Sequence, residues 1–222
     1  MTGDAAISVE GLTKKFGNRT VVDNVSLEVG RGRICGFLGP NGSGKTTTLR
    51  MICGLLIPDG GGGEVLGMDL RTQRELIKRR IGYMTQRFGL FEDLTIRENL
   101  AFVADAYGLD EKTQRVNAAL ERLGLETRAD QLAGTLSGGW KQRLALAACV
   151  LHDPEILLLD EPTAGVDPLA RREFWDLVHL LSAEGTTVLV STHYMDEAER
   201  CHDIAYIAYG VLLARGTADG IV

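Results

Sequence analysis

The residues best equipped for chemistry in this sequence stand together at Gly39-Pro40-Asn41-Gly42-Ser43-Gly44-Lys45-Thr46, a match to GxxxxGK[ST]. Glycines at this spacing let backbone N–H groups converge on a phosphate, Lys45 can reach β and γ oxygens, and the Thr46 hydroxyl can hold Mg²⁺. Thr47 completes the candidate nucleotide-binding set. Such a loop binds; hydrolysis needs an acid or base from elsewhere. Ile156-Leu157-Leu158-Leu159 leads into Asp160 and Glu161, about 115 residues downstream of Lys45. Acids after a strand in isolation are ordinary solvated turn residues. Paired with a phosphate loop, Asp160 reads as a ligand in the Mg²⁺ shell and Glu161 as the group that polarises an attacking water.

These groups work only if a strand delivers them and a helix N-terminus faces the phosphate. Ile34 to Leu38 is an apolar run directly before the loop, and Leu49, Ile52, Cys53 and Leu56 follow at helical spacing. This predicts a strand, then a helix over residues 46–56 that Pro58-Asp59-Gly60 ends. Upstream, ISVEG and VSLEV alternate like short strands, and Gly30 to Gly32 form a turn. The glycine run at 59–63 reads as a tight turn. Residues 88–152 change character: 100–107, 113–123 and 140–152 read as helices of an inserted helical lobe. The apolar runs at 156–159 and 186–190 predict buried parallel strands, with a helix between them capped by Asp167, begun at Pro168 and closed by Gly185. The fold class is therefore α/β, with a mainly parallel sheet.

Composition is that of a globular chain: 222 residues, 45% apolar, with a formal net charge of −6. There is no basic footprint, so nucleic acid is not an expected partner. The apolar stretches 144–151 and 204–214 fall short of the roughly 18 residues a membrane-crossing helix needs. The start, MTGDAAISVEG, lacks a secretory pattern and reads as cytosolic. Cys35, Cys53, Cys149 and Cys201 are far apart in apolar surroundings, as expected of reduced core residues and not of a zinc site or disulfide frame.

Two further segments carry a resemblance. LSGGWKQRLALA (136–147), followed by ILLLDEPTAGVDP and STHYMDEAE, resembles the nucleotide-binding domain of ABC transporters over nearly the whole chain. The resemblance implies a P-loop NTPase core, with an N-terminal antiparallel β subdomain and the first part of the core over residues 1–87. It also implies a helical signature subdomain over 88–152 and the second part of the core over 153–222. Gly39 to Thr46 would be the Walker A loop and Asp160 and Glu161 the Walker B end. Gln86 would be the Q-loop residue, near Mg²⁺ and water; Asp167 would lie in the D-loop, and His193 would be the switch histidine on the γ-phosphate. Phe16 would stack on adenine. Taken alone, Gln86 reads as a polar loop residue, His193 as a structural histidine and Phe16 as a core residue.

Ser137, Gly138 and Gly139 begin a predicted helix, where a hydroxyl and bare amides form a second phosphate site; as a local feature they are also a plain N-cap. By resemblance, this site closes the ATP of another subunit, head to tail. The implied ligands are ATP and Mg²⁺. The implied partners are a second nucleotide-binding domain and a transmembrane permease, with the chain on the cytoplasmic side of the membrane. Trp140 departs from the family's usual glutamine, a form similar to bacterial drug and polysaccharide exporters. Soluble relatives acting on ribosomes, DNA or cofactor assembly are the alternative. Against them stand the acidic single-domain chain and the absence of a coiled coil in the roughly 90 residues between Lys45 and Ser137. The chain, ending at 218–222, reads as one domain of a longer or fused protein.

Overall fold

Buried residues alternate along β2 (Arg19–Gly30), where Val25, Leu27 and Val29 share one face, as a half-buried strand requires. It pairs antiparallel with β1 (Ala5–Phe16). The computed structural model describes residues 5–217; the terminal residues 218–222 and the first four lie outside them. Both strands are 12 residues long, where the sequence pattern predicts short ones. Gly11, at φ 63°, shifts the register between Val9 and Leu12 and lets pairing resume beyond the bulge.

The glycine run is the clearest correction. Gly60–Val65 is not a turn but a strand, β4, antiparallel to β1 and paired with the short β5 (Met68–Asp69), giving the sheet order β2-β1-β4-β5. Gly63 sits at φ 137°, and a Cβ there would stand 2.2 Å from the Ser8 carbonyl. Backbone contact this close admits only glycine.

The second sheet has the order β10-β9-β3-β8-β7-β6, built from β3 (Ile34–Leu38), β6 (Ile81–Met84), β7 (Ile156–Asp160), β8 (Thr187–Thr192), β9 (Asp203–Ala208) and β10 (Val211–Gly216). All are parallel except β10. Every residue of β3, β7 and β8 is buried, because both faces of the sheet are covered. Alternate residues of β7 serve different cores. Ile156 and Leu158 pack with α1 (Lys45–Ile52) and the antiparallel sheet, whereas Leu157 and Leu159 pack with the helices.

Those helices are α3 (Ile96–Ala106), α4 (Lys112–Arg122) and α5 (Gly138–Val150), all within the stretch expected to be helical, together with α6 (Pro168–Ala183). Thr95 and Glu98 form a reciprocal capping box on α3, which explains its start four residues earlier than the apolar spacing predicts. Asp167 caps α6 with Pro168 at the first position, as predicted. Helix α1 ends at Ile52, before the expected residue 56, because Gly54 at φ 73° turns the chain out. Two short helices, α2 (Arg74–Arg79) and α7 (Met195–Ala198), complete the chain. The cysteines are unpaired, three of them buried.

Gly62 and Gly63 give a local test. A Cβ at Gly62 meets nothing within 4 Å. Gly62→Ala is expected to change stability by less than about 1 kcal/mol in urea denaturation, and Gly63→Ala to lower it by more than that. Equal effects would contradict the close approach at Gly63.

Candidate active site

Strands β3, β8, β7 and β6 are neighbours and parallel, so their carboxyl ends share one edge of the sheet. The glycine loop follows β3, Asp160 and Glu161 end β7, His193 follows β8, and Gln86 follows β6. Residues far apart in sequence thus meet at one place.

The loop is held from two sides. Gly39 N–H donates to the Thr192 carbonyl (3.1 Å), and a Cβ at Gly39 would lie 2.1 Å from the Ile207 carbonyl, so glycine is required there. Gly44, at φ 104°, turns the chain into α1, whose first turn carries no acidic residue and no side-chain cap. The N-terminal amides of α1, at the positive end of its dipole, are left to an anion. Ser43 is buried, and its Oγ has no partner among the described residues, as expected of a hydroxyl aimed at a phosphate oxygen. Lys45 is 4% exposed; its Nζ donates to the carbonyls of Gly39 (2.7 Å) and Pro40 (3.0 Å).

Two buried carboxylates face this loop. Asp160 Oδ1 accepts from Thr46 Oγ1 (3.0 Å) and Ser191 Oγ (2.7 Å), and Oδ2 accepts from the Tyr83 hydroxyl (3.4 Å). Burial pushes the Tyr83 phenol up to about 12, so it remains a proton donor through the neutral range. Glu161 Oε1 pairs with Lys45 Nζ at 3.3 Å. Its Oε2 accepts from Gln86 Nε2 (3.2 Å) and lies 3.3 Å from His193 Nδ1. The Glu161 backbone is left-handed, at φ 48°, and its N–H donates to both the carbonyl and the hydroxyl of Ser191 (3.1 and 3.0 Å). A non-glycine residue held in this region costs on the order of 1–2 kcal/mol, and Ser191 supplies the bonds that hold it.

Lys45, Thr46, Asp160, Glu161, Gln86 and His193 are therefore brought together, although the contact of Gln86 is to Glu161 and not to Thr46 or Asp160. Phe16 ends β1 52% exposed, which removes its reading as a core residue. Ser137, Gly138 and Gly139 lie apart from the glycine loop. Ser137 is the N-cap of α5, yet its Oγ makes no capping bond, and both Ser137 and Gly138 are exposed. Ser137 and Gly139 border a cleft of about 230 Å³ with Trp140, Asp167 and Leu169, to which no residue of the glycine loop contributes. Asp167 Oδ1 accepts from the N–H groups of Leu169 (3.1 Å) and Ala170 (3.0 Å). The Trp140 ring lies between the guanidinium groups of Arg128 (4.6 Å) and Arg143 (4.8 Å) and packs on the helical core. Ser191 and Tyr83 escape a reading of the sequence; the signal for Ser191 is a hydroxyl directly after the apolar run at 188–190.

A glycine loop opening a helix, a paired acid at the end of the adjoining parallel sheet and a separate SGG helix start define an ATP-binding cassette. The family model described as ABC transporter matches residues 22–164, and the chain belongs to that family, as a nucleotide-binding ATPase cassette. It is 47% identical over 221 residues to the probable multidrug ABC transporter ATP-binding protein YbhF of Escherichia coli (strain K12), covering 99% of this chain and 38% of that protein. It is 40% identical to the Nod factor export ATP-binding protein I of Paraburkholderia xenovorans (strain LB400), covering 99% of this chain and 73% of that one. The chain thus spans well under half the length of YbhF. Among solved structures, CbiO1 from Clostridium perfringens, part of the ABC transporter complex CbiONQ, superposes with a TM-score of 0.91 at 28% identity, covering 99% of this chain and 91% of that one. The cassette MJ0796, dimeric and bound to ADP and Pi in a post-hydrolysis state, gives 0.84 at 29% identity over 95% and 98% of the two chains.

Ser191→Ala removes a buried donor from Asp160 and a tie on the Glu161 backbone. It is expected to lower stability by about 1–3 kcal/mol, read by thermal or urea unfolding. A change below about 0.5 kcal/mol would contradict the bonding described.

Proposed function

We propose that the chain is one cassette of a transporter, with a helical signature part at residues 88–152 between the two parts of its core at 1–87 and 153–222. Two cassettes close head to tail around ATP to drive export through a transmembrane partner. The observation that carries this reading is the convergence of Lys45, Gln86 and His193 on Glu161 from three different strand ends. The backbone amides of Asn41, Gly42 and Gly44 and the hydroxyl of Ser43 hold the β-phosphate from a loop that Gly39 anchors through its bond to the Thr192 carbonyl, while Lys45 bridges to the γ-phosphate and Thr47 extends the cradle. Phe16, exposed at the end of β1, takes the adenine face, a contact that typically contributes about 1–3 kcal/mol and discriminates weakly among bases.

Glu161 takes a proton from the water that attacks the γ-phosphorus. His193 and Gln86, already in contact with its carboxylate, steady that water and the transferring phosphoryl group. Thr46, Asp160 and Gln86 would hold Mg²⁺. The oxygens of Thr46 and Asp160 are 3.0 Å apart, which suits neighbouring positions around an ion whose ligands lie about 2.1 Å from it. Bound there, the ion would neutralise charge on the β and γ oxygens.

The uncommitted Ser137 hydroxyl and the amides of Gly138 and Gly139 at the start of α5 form half of a phosphate site that no residue of the loop completes. A second chain must supply the other half, with Asp167 beside it at the same boundary. Trp140, held between two arginines, fastens the signature turn to the helical part. Among the described residues no helix is long and apolar enough to cross a membrane. By likeness to the cassette CbiO1, part of an ABC transporter complex, we assign the crossing path to the partner and the cytoplasmic face to this chain. Relatives named for multidrug transport and for Nod factor export support the outward direction.

Removing a general base typically costs 10²–10⁴-fold in rate, so Glu161→Gln should forfeit about 3–5 kcal/mol of transition-state stabilisation while ATP still binds. Lys45→Ala should instead weaken ATP binding itself, measured by equilibrium titration. Near wild-type hydrolysis by Glu161→Gln would sink the assignment of the base, and unchanged affinity in Lys45→Ala would sink that of the loop.

A further inference from the structure

One buried acid has no part in the mechanism above. Glu197, on α7, is 1% exposed, and its carboxylate is bonded on every side by the two loops that carry the reacting groups. Thr163 Oγ1, two residues beyond Glu161, donates to Oε1. Thr192 Oγ1, the residue before His193, donates to Oε2 (2.7 Å) and itself accepts from the Tyr194 N–H (3.0 Å). Arg171 on α6 faces the same carboxylate, with Nε 3.5 Å from Oε1. The Arg171 guanidinium also lies 4.6 Å from the centre of the Tyr194 ring, and that ring lies 4.0 Å from the ring of His193.

A charge this deeply buried is tolerated only when donors surround it, and donors surrounding it are in turn held by it. From this geometry we infer that Glu197 is a positioning residue for hydrolysis: it locks the loop after β7 to the loop after β8, fixing Glu161 and His193 in mutual register. Arg171 is its counter-charge. The network joins these two loops to α6, whose N-cap Asp167 borders the signature cleft. Glu197 itself bonds to no group on the phosphate loop, and losing it should loosen the 3.3 Å contact between His193 and Glu161.

The inference rests on the assignment of Glu161 as the base, and the test separates the two. Glu197→Gln, Glu161→Gln and the double variant are compared for ATP hydrolysis by the purified chain, with ATP affinity measured alongside. Expected for Glu197→Gln is a fall in kcat of tenfold or more with KM within about twofold of the wild-type value, and little further fall when the substitution is added to Glu161→Gln, since groups that act as a unit are not additive. Thr192→Val should reproduce the kcat loss and Thr192→Ser should restore activity; this pair serves if Glu197→Gln fails to fold. An unchanged kcat, or an equal fold-loss in the Glu161→Gln background, overturns the positioning role. Full activity in Glu161→Gln alone would overturn the underlying assignment instead.

Discussion

Asp160 and Glu161 are buried carboxylates at the end of a strand whose other residues are wholly apolar, and the site is arranged around that fact. A buried anion without partners costs several kcal/mol, so the surrounding loops must bring donors and positive charge to these two side chains. Thr46, Ser191 and Tyr83 serve Asp160, while Lys45, Gln86 and His193 serve Glu161. These residues come from β6, from β8 and its loop, and from the segment after β3. A parallel order that sets β6 and β8 on either side of β7, with β3 next to β8, delivers them to one edge. Chemistry and topology are thus a single constraint: the strand order is what makes the charged pair tolerable.

The same reasoning extends outward to Glu197. A third buried carboxylate ties the loops that follow β7 and β8, so the machinery is braced from behind as well as across the phosphate face. The signature half is built differently. It lies at the exposed start of α5, where the Ser137 hydroxyl is not spent on capping and the glycines offer bare amides. Close packing fixes that turn from below, since a Cβ at Gly139 would come 2.5 Å from the Cβ of Ala170. One half-site is buried and preorganised, whereas the other is exposed at the start of α5 and shares no lining residue with the glycine loop. This division is the physical reason that closure between chains, rather than folding within one, completes the proposed site.

Much of this was legible in the sequence because apolar strands leave an unmistakable mark. Ile34–Leu38, Ile156–Asp160 and the strand before His193 show as unbroken runs, and the reacting groups follow directly at their ends. The helix start at Asp167 uses a side-chain cap that the sequence shows, whereas the reciprocal box of Thr95 and Glu98 starts α3 before its apolar spacing does. What stayed hidden has no side-chain pattern. Gly60–Val65 is a strand defined by backbone approach, which a run of glycines disguises as a turn. Tyr83 and Ser191 gain their meaning only from a register that sets β6 and β8 on either side of β7. Asp167 is readable as a cap, but its place beside the signature turn depends on how α6 packs against α5.

The central claim is that no single chain holds a complete site, and mixing two disabled chains tests it most directly. Lys45→Ala removes the phosphate loop's lysine and leaves the signature whole; Ser137→Arg blocks the signature and leaves the loop whole. Because Ser137 is exposed and its hydroxyl caps nothing, the bulkier side chain leaves the fold intact. Each variant alone is predicted to be inactive, and an equal mixture to regain ATP hydrolysis, because a mixed pair joins one intact loop to one intact signature. A mixture no more active than its two components would contradict the account.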